Sequence, residues 1–238
     1  MRVIAAAVAL PVLALLAACA STRAAEPRFT VVTVDPARER LQLFLNDEQG
    51  RPYQRLDRLA SALAARGQRL VFGMNAGMYH ADFSPVGLFV ADGIELAPLN
   101  LARGKGNFFL PPNGVFLVTD AGAQVVESSA YPALASQARI ATQSGPMLLS
   151  QGAINPLFDP GSRSAHIRNG VCAMDGKAHF VISEDPVNLY DFAKYFRDTL
   201  KCRDALYLDG SVSSLFSPAL GRNDNRAKLG PMIGVVEN

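Results

Sequence analysis

Four polar residues stand where apolar runs of the chain begin or end. Asn75 closes the run Leu70–Met74 and leads into Ala76-Gly77. Glu184 follows an apolar run ending at Ser183, and Asp209-Gly210-Ser211 follows Ala205–Leu208. Arg168 opens the run that reaches Cys172. Strand ends carry side chains from a rigid scaffold into a cleft, where binding and catalytic groups tend to sit. Carboxylates there serve as acids, bases or nucleophiles, and a guanidinium binds oxyanions. The neighbouring glycines Gly77 and Gly210 let backbone approach a ligand. A single Asp-Gly after a strand reads as a turn, but three carboxylate or amide ends together point to a site. Other familiar sites are missing: the sequence has no Gly-x-Ser-x-Gly elbow, His-Glu-x-x-His, Cys-x-x-Cys, Gly-x-Gly-x-x-Gly or phosphate-loop pattern. The three histidines, His80, His166 and His179, show no ligand spacing, so neither a metal nor a cofactor is expected.

The elements that must position these residues are mostly strands. Phe29–Val34 is β-branched, and Leu41–Leu45 is expected to pair with it across Asp35-Pro36. Hairpins are expected at Asp92-Gly93, between Gly87–Ala91 and Ile94–Leu96, and at Asp175-Gly176, between Asn169–Met174 and Lys177–Ser183. Val115–Thr119 and Gln124–Glu127 form a third. Leu56, Leu59, Ala60, Leu63 and Ala64 recur at helical spacing before a stop at Gly67. A second helix runs from Asn188, its cap, to Lys201, with Leu189, Phe192, Ala193, Phe196 and Leu200 as its apolar stripe. The pattern predicts an α+β fold: one domain over residues 28–238, with a largely antiparallel or mixed twisted sheet and a few packing helices.

Charge and composition narrow the partners. With 23 basic and 21 acidic residues the net charge is +2, and no like-charge run occurs, which argues against a nucleic-acid partner held by bulk electrostatics. The front of the chain is different. Arg2 precedes sixteen almost wholly apolar residues, Val3–Ala18, too short for a bilayer span of roughly 20 residues and suited to a secretory leader. Leu16-Ala17-Ala18-Cys19 resembles the lipobox of bacterial lipoproteins, which implies cleavage before Cys19 and lipidation of that residue. The expected mature protein is therefore anchored in the membrane of the bacterial envelope, the outer one since Ala20 is not an aspartate, with residues 19–27 as a tether. An ordinary leader with an incidental Cys19 is the alternative. In an oxidising compartment Cys172 and Cys202 either form a disulfide or remain buried thiols.

The strand-end residues also carry a resemblance. Asn75-Ala76-Gly77-Met78-Tyr79, with Pro85-Val86-Gly87-Leu88 and Asp92-Gly93 after it, resembles the opening motif of the phosphodiester glycosidase family. Gln143-Ser144-Gly145-Pro146-Met147-Leu148 is similar to its Ser-Gly-Pro-x-Leu segment. Arg168-Asn169-Gly170-Val171 occupies the place of its Arg-Thr-Ala-Ile-Gly motif, and Leu208-Asp209-Gly210-Ser211-Val212-Ser213-Ser214 that of Leu-Asp-Gly-Gly-Gly-Ser-Ser. The resemblance implies hydrolysis of a sugar 1-phosphodiester at the anomeric carbon, through an oxocarbenium-like state that calls for carboxylates. On that basis Asp209 and Glu184 are the expected catalytic pair. Arg168 is the expected phosphate clamp, its planar fork matching two phosphate oxygens, unless it pairs with Glu184 or Asp185. Asn75, Gly77, Gly210, Ser213 and Ser214 are expected to contact substrate, and Tyr79 to be either core or sugar platform. The family's glycines are replaced at Ala76, Ser211 and Val212. Side chains at 211 and 212 would narrow the approach to a phosphate, which opens a second reading, an envelope lipoprotein that binds polysaccharide without turnover. A third, weaker reading is a metal-dependent hydrolase using His80, Asp82 and Asp209.

Overall fold

The structure is a computed structural model that describes residues 26–238. The leader, the lipidation site Cys19 and most of the tether lie outside these residues. The first strands are β1 (Phe29–Val34), β2 (Arg40–Phe44), β3 (Arg69–Asn75), β4 (Phe89–Ala91) and β5 (Ile94–Ala97). They are followed by β6 (Gly114–Thr119), β7 (Gly122–Glu127), β8 (Ile140–Ser144), β9 (Met147–Ser150) and β10 (Ala153–Ile154). The rest are β11 (Asn169–Met174), β12 (Lys177–Ser183), β13 (Ala205–Tyr207), β14 (Leu215–Ser217), β15 (Arg222–Asn223) and β16 (Met232–Glu237). Two helices accompany them, α1 (Leu56–Ala64) and α2 (Leu189–Lys194).

The strands form three antiparallel sheets. The first has the order β1-β12-β11-β13-β9-β10, the second β15-β14-β3-β16-β2 and the third β5-β4-β8-β6-β7. Period-two alternation sends one face of each sheet into a common centre. Val171, Phe180 and Leu206 from the first sheet meet Phe72, Met74 and Ile233 from the second and Phe89, Phe116 and Ile140 from the third. The outer faces have their own covers. Phe192 and Phe196 pack over Leu148, Cys172 and Tyr207, while Leu56, Leu59 and Leu63 of α1 pack over Leu70, Met232 and Val236.

Local chemistry explains the elements that form as expected. Asp92-Gly93 and Asp175-Gly176 all have φ between 50° and 76°, the left-handed pair that a two-residue hairpin turn requires. Gly67 follows α1 at φ 72° and donates its N–H to the Ala64 carbonyl. Asn188 caps α2 by accepting the Asp191 N–H, and the helix then widens into a π-helical turn, Tyr195–Thr199. One pairing is corrected. β1 and β2 are not partners: β1 pairs with β12 and β2 with β16, so Asp35-Pro36 carries the chain from one sheet to another. Cys172 on β11 and Cys202 after the π-helical turn form a disulfide with Cα atoms 6.2 Å apart, tying α2's outgoing chain to the first sheet. No helix among the described residues is long and apolar enough to cross a membrane.

A cross-link spanning 30 residues stabilises by about 3–4 kcal/mol, mainly through the unfolded chain. Reduction is therefore expected to lower the melting temperature by roughly ten degrees in thermal unfolding with and without reductant. An unchanged melting temperature would show that the cross-link contributes nothing.

Candidate functional site

Three of the expected residues come together through two asparagines that are nearly inaccessible to solvent. Asn75 ends β3 in the second sheet and Asn169 begins β11 in the first. Their side chains face each other: Asn75 Nδ2 donates to Asn169 Oδ1 at 3.3 Å, and Asn169 Nδ2 donates to the Asn75 carbonyl at 3.0 Å. Asn75 also donates to the Asp209 carbonyl at 2.7 Å and accepts the Ser214 N–H at 2.9 Å. The Ser213 hydroxyl, with one proton to give, lies within hydrogen-bond distance of Asn169 Oδ1, Ile167 O and Gly210 O, and that of Ser214 donates to Val212 O. The segment 208–214 is thus suspended between two sheets.

Above that network opens a cleft of about 490 Å³. Arg168, Tyr207, Asp209 and Gly210 lie in it, with Met78, Tyr79, Phe108 and Leu189 as apolar walls and His80, Lys105 and His166 exposed at the rim. Asp209 is the one carboxylate lining the cleft among the described residues. Its Oδ1 accepts the Ser211 hydroxyl at 2.6 Å and the Ser211 N–H at 3.3 Å. Burial pushes its carboxyl above the ordinary carboxylate range, and the two Ser211 bonds pull against that shift.

Arg168 is 3% exposed, yet no carboxylate touches it among the described residues. Nε donates to Val187 O at 2.7 Å, Nη1 to the Tyr207 hydroxyl at 2.7 Å and Nη2 to Ser164 O at 2.8 Å. Three of the guanidinium's five N–H groups are thereby committed, all to neutral oxygens. Neither alternative ion pair of Arg168 forms: Asp185 binds Arg28, and Glu184 binds Arg222. A buried cation held in this way keeps its charge for an anion entering the cleft.

Several expected roles change. Glu184 does not line the cleft; its carboxylate accepts Thr30 Oγ1 and Arg222 Nη1, so the structure does not join it to Asp209 as a pair. Asn75, Ser213 and Ser214 spend their polar atoms inside the protein and hold the Asp209 segment instead of facing a ligand. A Cβ on Gly77 would stand 2.4 Å from the Gln143 carbonyl, so that glycine serves the packing of its segment against β8. Gly210 does line the cleft. Tyr79 is half-buried and outside the hydrophobic core: its ring stacks on Phe83 and lines the cleft, while its hydroxyl donates to Lys228 O. His80 lines the cleft, whereas Asp82 turns to Ser84. No group of three or more His, Cys, Asp or Glu side chains among the described residues is placed to share a metal ion.

Of the departures from the glycine-rich motif only Ser211 lines the cleft. Ser211 buttresses Asp209, Val212 packs toward α1, and Ala76 is buried in the central core. Sequence reading missed Asn169 as a linchpin, Tyr207 as a polar wall and the segment around Lys105 and Phe108. In an extended strand Tyr207 shares a face with Asp209, two residues on, but its apolar neighbours masked that relation.

Comparison with known proteins agrees with this fold. Residues 68–236 match the phosphodiester glycosidase family. An uncharacterized Escherichia coli protein, YigE, is 37% identical over 194 residues, covering 80% of this chain and 76% of its own. The catalytic domain of zebrafish N-acetylglucosamine-1-phosphodiester alpha-N-acetylglucosaminidase, auto-inhibited by its pro-peptide, superposes with a TM-score of 0.61 at 12% identity, over 91% of this chain and 85% of that one. A hypothetical protein from Synechocystis gives 0.54 at 15% identity, over 88% of this chain and 59% of that one. At these identities the two structural likenesses speak to the fold.

The raised carboxyl of Asp209 has a consequence for stability. Its folded pKa lies above the unfolded value, so the folded state holds the proton longer and stability is lost as pH rises through that window. Asp209→Asn removes the penalty. The variant is expected to melt at or above the wild-type temperature at neutral pH, with the difference shrinking below the ordinary carboxylate range. A variant less stable than wild type at neutral pH would contradict this.

Proposed function

The chain belongs to the phosphodiester glycosidase family, and from that premise we propose that it hydrolyses a sugar 1-phosphodiester at the anomeric carbon. The observation that carries this reading is the buried, carboxylate-free Arg168 in the same cleft as a solitary carboxylate, Asp209. Arg168 keeps two N–H groups for the oxygens of the phosphodiester. Asp209, with Oδ1 fixed by Ser211 and Oδ2 without a donor among the described residues, faces the anomeric carbon. The bond from that carbon to the bridging oxygen breaks, and its electron pair leaves with the phosphate, whose charge rises from one to two. Asp209 stabilises or traps the oxocarbenium-like centre. Water supplies the new anomeric hydroxyl, and its proton passes to a rim imidazole, His80 or His166, or to solvent. A phosphate leaving group needs little protonation, which suits a cleft with one carboxylate rather than two.

Asp209→Asn is expected to lower kcat/KM on a sugar 1-phosphodiester about a thousandfold, with Glu184→Gln staying within a few-fold of wild type. Since Asp209 acts ionised, the acidic limb of the kcat/KM profile should lie above the ordinary carboxylate range. Full activity in Asp209→Asn would overturn the assignment.

The proposal extends to location. The leader-like residues 1–18, the lipobox-like Leu16–Cys19 and the Cys172–Cys202 disulfide support a lipid-anchored protein in an oxidising bacterial envelope, acting on a glycan phosphodiester there. Cys19→Ser is expected to shift the protein from the membrane fraction to the soluble periplasmic fraction. Retention in the membrane would refute the anchor.

A further inference from the structure

We propose that the Tyr207 hydroxyl is the second arm of the anion clamp, donating its proton to a phosphate oxygen of the ligand that Arg168 holds. This rests on the hydrolase reading for the ligand's identity and adds a residue that the family motifs do not single out in this chain.

Tyr207 ends β13, and its ring is 2% exposed, yet it forms part of the cleft wall. The ring meets Phe192 edge-on at 6.5 Å, and the Arg168 guanidinium carbon stands 5.4 Å from its centroid. Arginine only donates, so the 2.7 Å bond from Nη1 occupies a lone pair of the phenol and leaves the phenolic proton unspent. No protein acceptor takes that proton among the described residues. A buried donor in this state calls for a partner, and the cleft is the space beside it.

Two further features hold the hydroxyl in place. Burial raises the phenol's pKa more than Arg168 lowers it, so the proton is present at neutral pH. A Cβ on Gly210 would come within 2.0 Å of the hydroxyl oxygen, so the phenol fills the space a side chain there would need. The cleft therefore holds donors and an acceptor as separate groups. Two N–H groups of Arg168 and the Tyr207 O–H can donate to a ligand, and the Asp209 carboxylate accepts. As the anomeric bond breaks, the phosphate gains a negative charge and all three donor bonds tighten. The hydroxyl accordingly acts more on kcat than on KM.

The test uses the full chain and inorganic phosphate, with Tyr207→Phe as the variant because it keeps the ring's packing. Calorimetric titration is expected to show phosphate affinity about tenfold weaker in the variant. On a sugar 1-phosphodiester, kcat is expected to fall about a hundredfold with KM within a few-fold. In wild-type protein carrying ring-labelled tyrosine, the assigned Tyr207 resonance should move as phosphate is added, a readout that does not depend on the variant folding. Equal phosphate affinity in Tyr207→Phe and wild type, or an unmoved Tyr207 resonance, overturns the proposal. If Tyr207 responds to phosphate but no sugar 1-phosphodiester is hydrolysed, the clamp stands and the hydrolase reading falls. If hydrolysis persists with Tyr207 indifferent to phosphate, the reverse holds.

Discussion

The site depends on one buried amide pair. Asn75 and Asn169 stand at the ends of strands in different sheets, 2% and 0% exposed, and buried amides of this kind are costly unless every donor and acceptor is matched. They match each other and then use their remaining capacity on the Asp209 carbonyl, the Ser214 N–H and the Ser213 hydroxyl. Those remaining partners all lie in the segment that carries Asp209. Joining the sheets and suspending the Asp209 segment are therefore the same act, and a fault in the pair would reach both.

Strand alternation then separates scaffold from chemistry. On β11, Asn169 and Val171 turn toward the central core and the amide pair, while Gly170 and Cys172 share the outer face with the preceding Arg168. On β13, Leu206 and the following Leu208 point to the core, while Tyr207 turns outward. Gly170 stands opposite Tyr207 in register, and the absent side chain at 170 leaves room over the Leu206 carbonyl and Phe192, 2.8 and 3.2 Å from where its Cβ would be. Arg168 and Tyr207 thus reach each other on the face that α2 covers, at the edge where that cover ends and the cleft opens.

What the sequence made legible was local. The two Asp-Gly hairpins, α1 with its glycine stop and the Asn188 cap each depend on a few consecutive residues whose backbone preferences agree. The pairing of β1 and β2 was not legible. A strand, a turn signal and another strand read as a hairpin, but each strand found its partner more than a hundred residues away. Glu184 illustrates the same limit at the site. Its position at a strand end resembles that of Asp209, and only Arg222, on the two-residue strand β15, too short to show a period, determines that its carboxylate is already engaged. Tyr207 was hidden for the opposite reason: its ring belongs to an apolar strand, and only the hydroxyl, placed by Arg168, makes it polar in function.

The near-neutral charge of the chain gives this arrangement its meaning. With no broad positive field, anion recognition rests on local groups, and a cation is useful there only if nothing inside the protein neutralises it. A carboxylate beside Arg168 would fix its orientation but compete with any entering anion for its charge. Two carbonyls and a phenol fix the orientation equally well, since each accepts one N–H on a different nitrogen, and they leave the charge intact. The two carboxylates that follow β12 are held elsewhere, Asp185 by Arg28 and Glu184 by Arg222. Those surface and half-buried ion pairs contribute little to stability by themselves. Their larger consequence is that neither carboxylate is spent on the Arg168 guanidinium, whose three bonds all go to neutral oxygens.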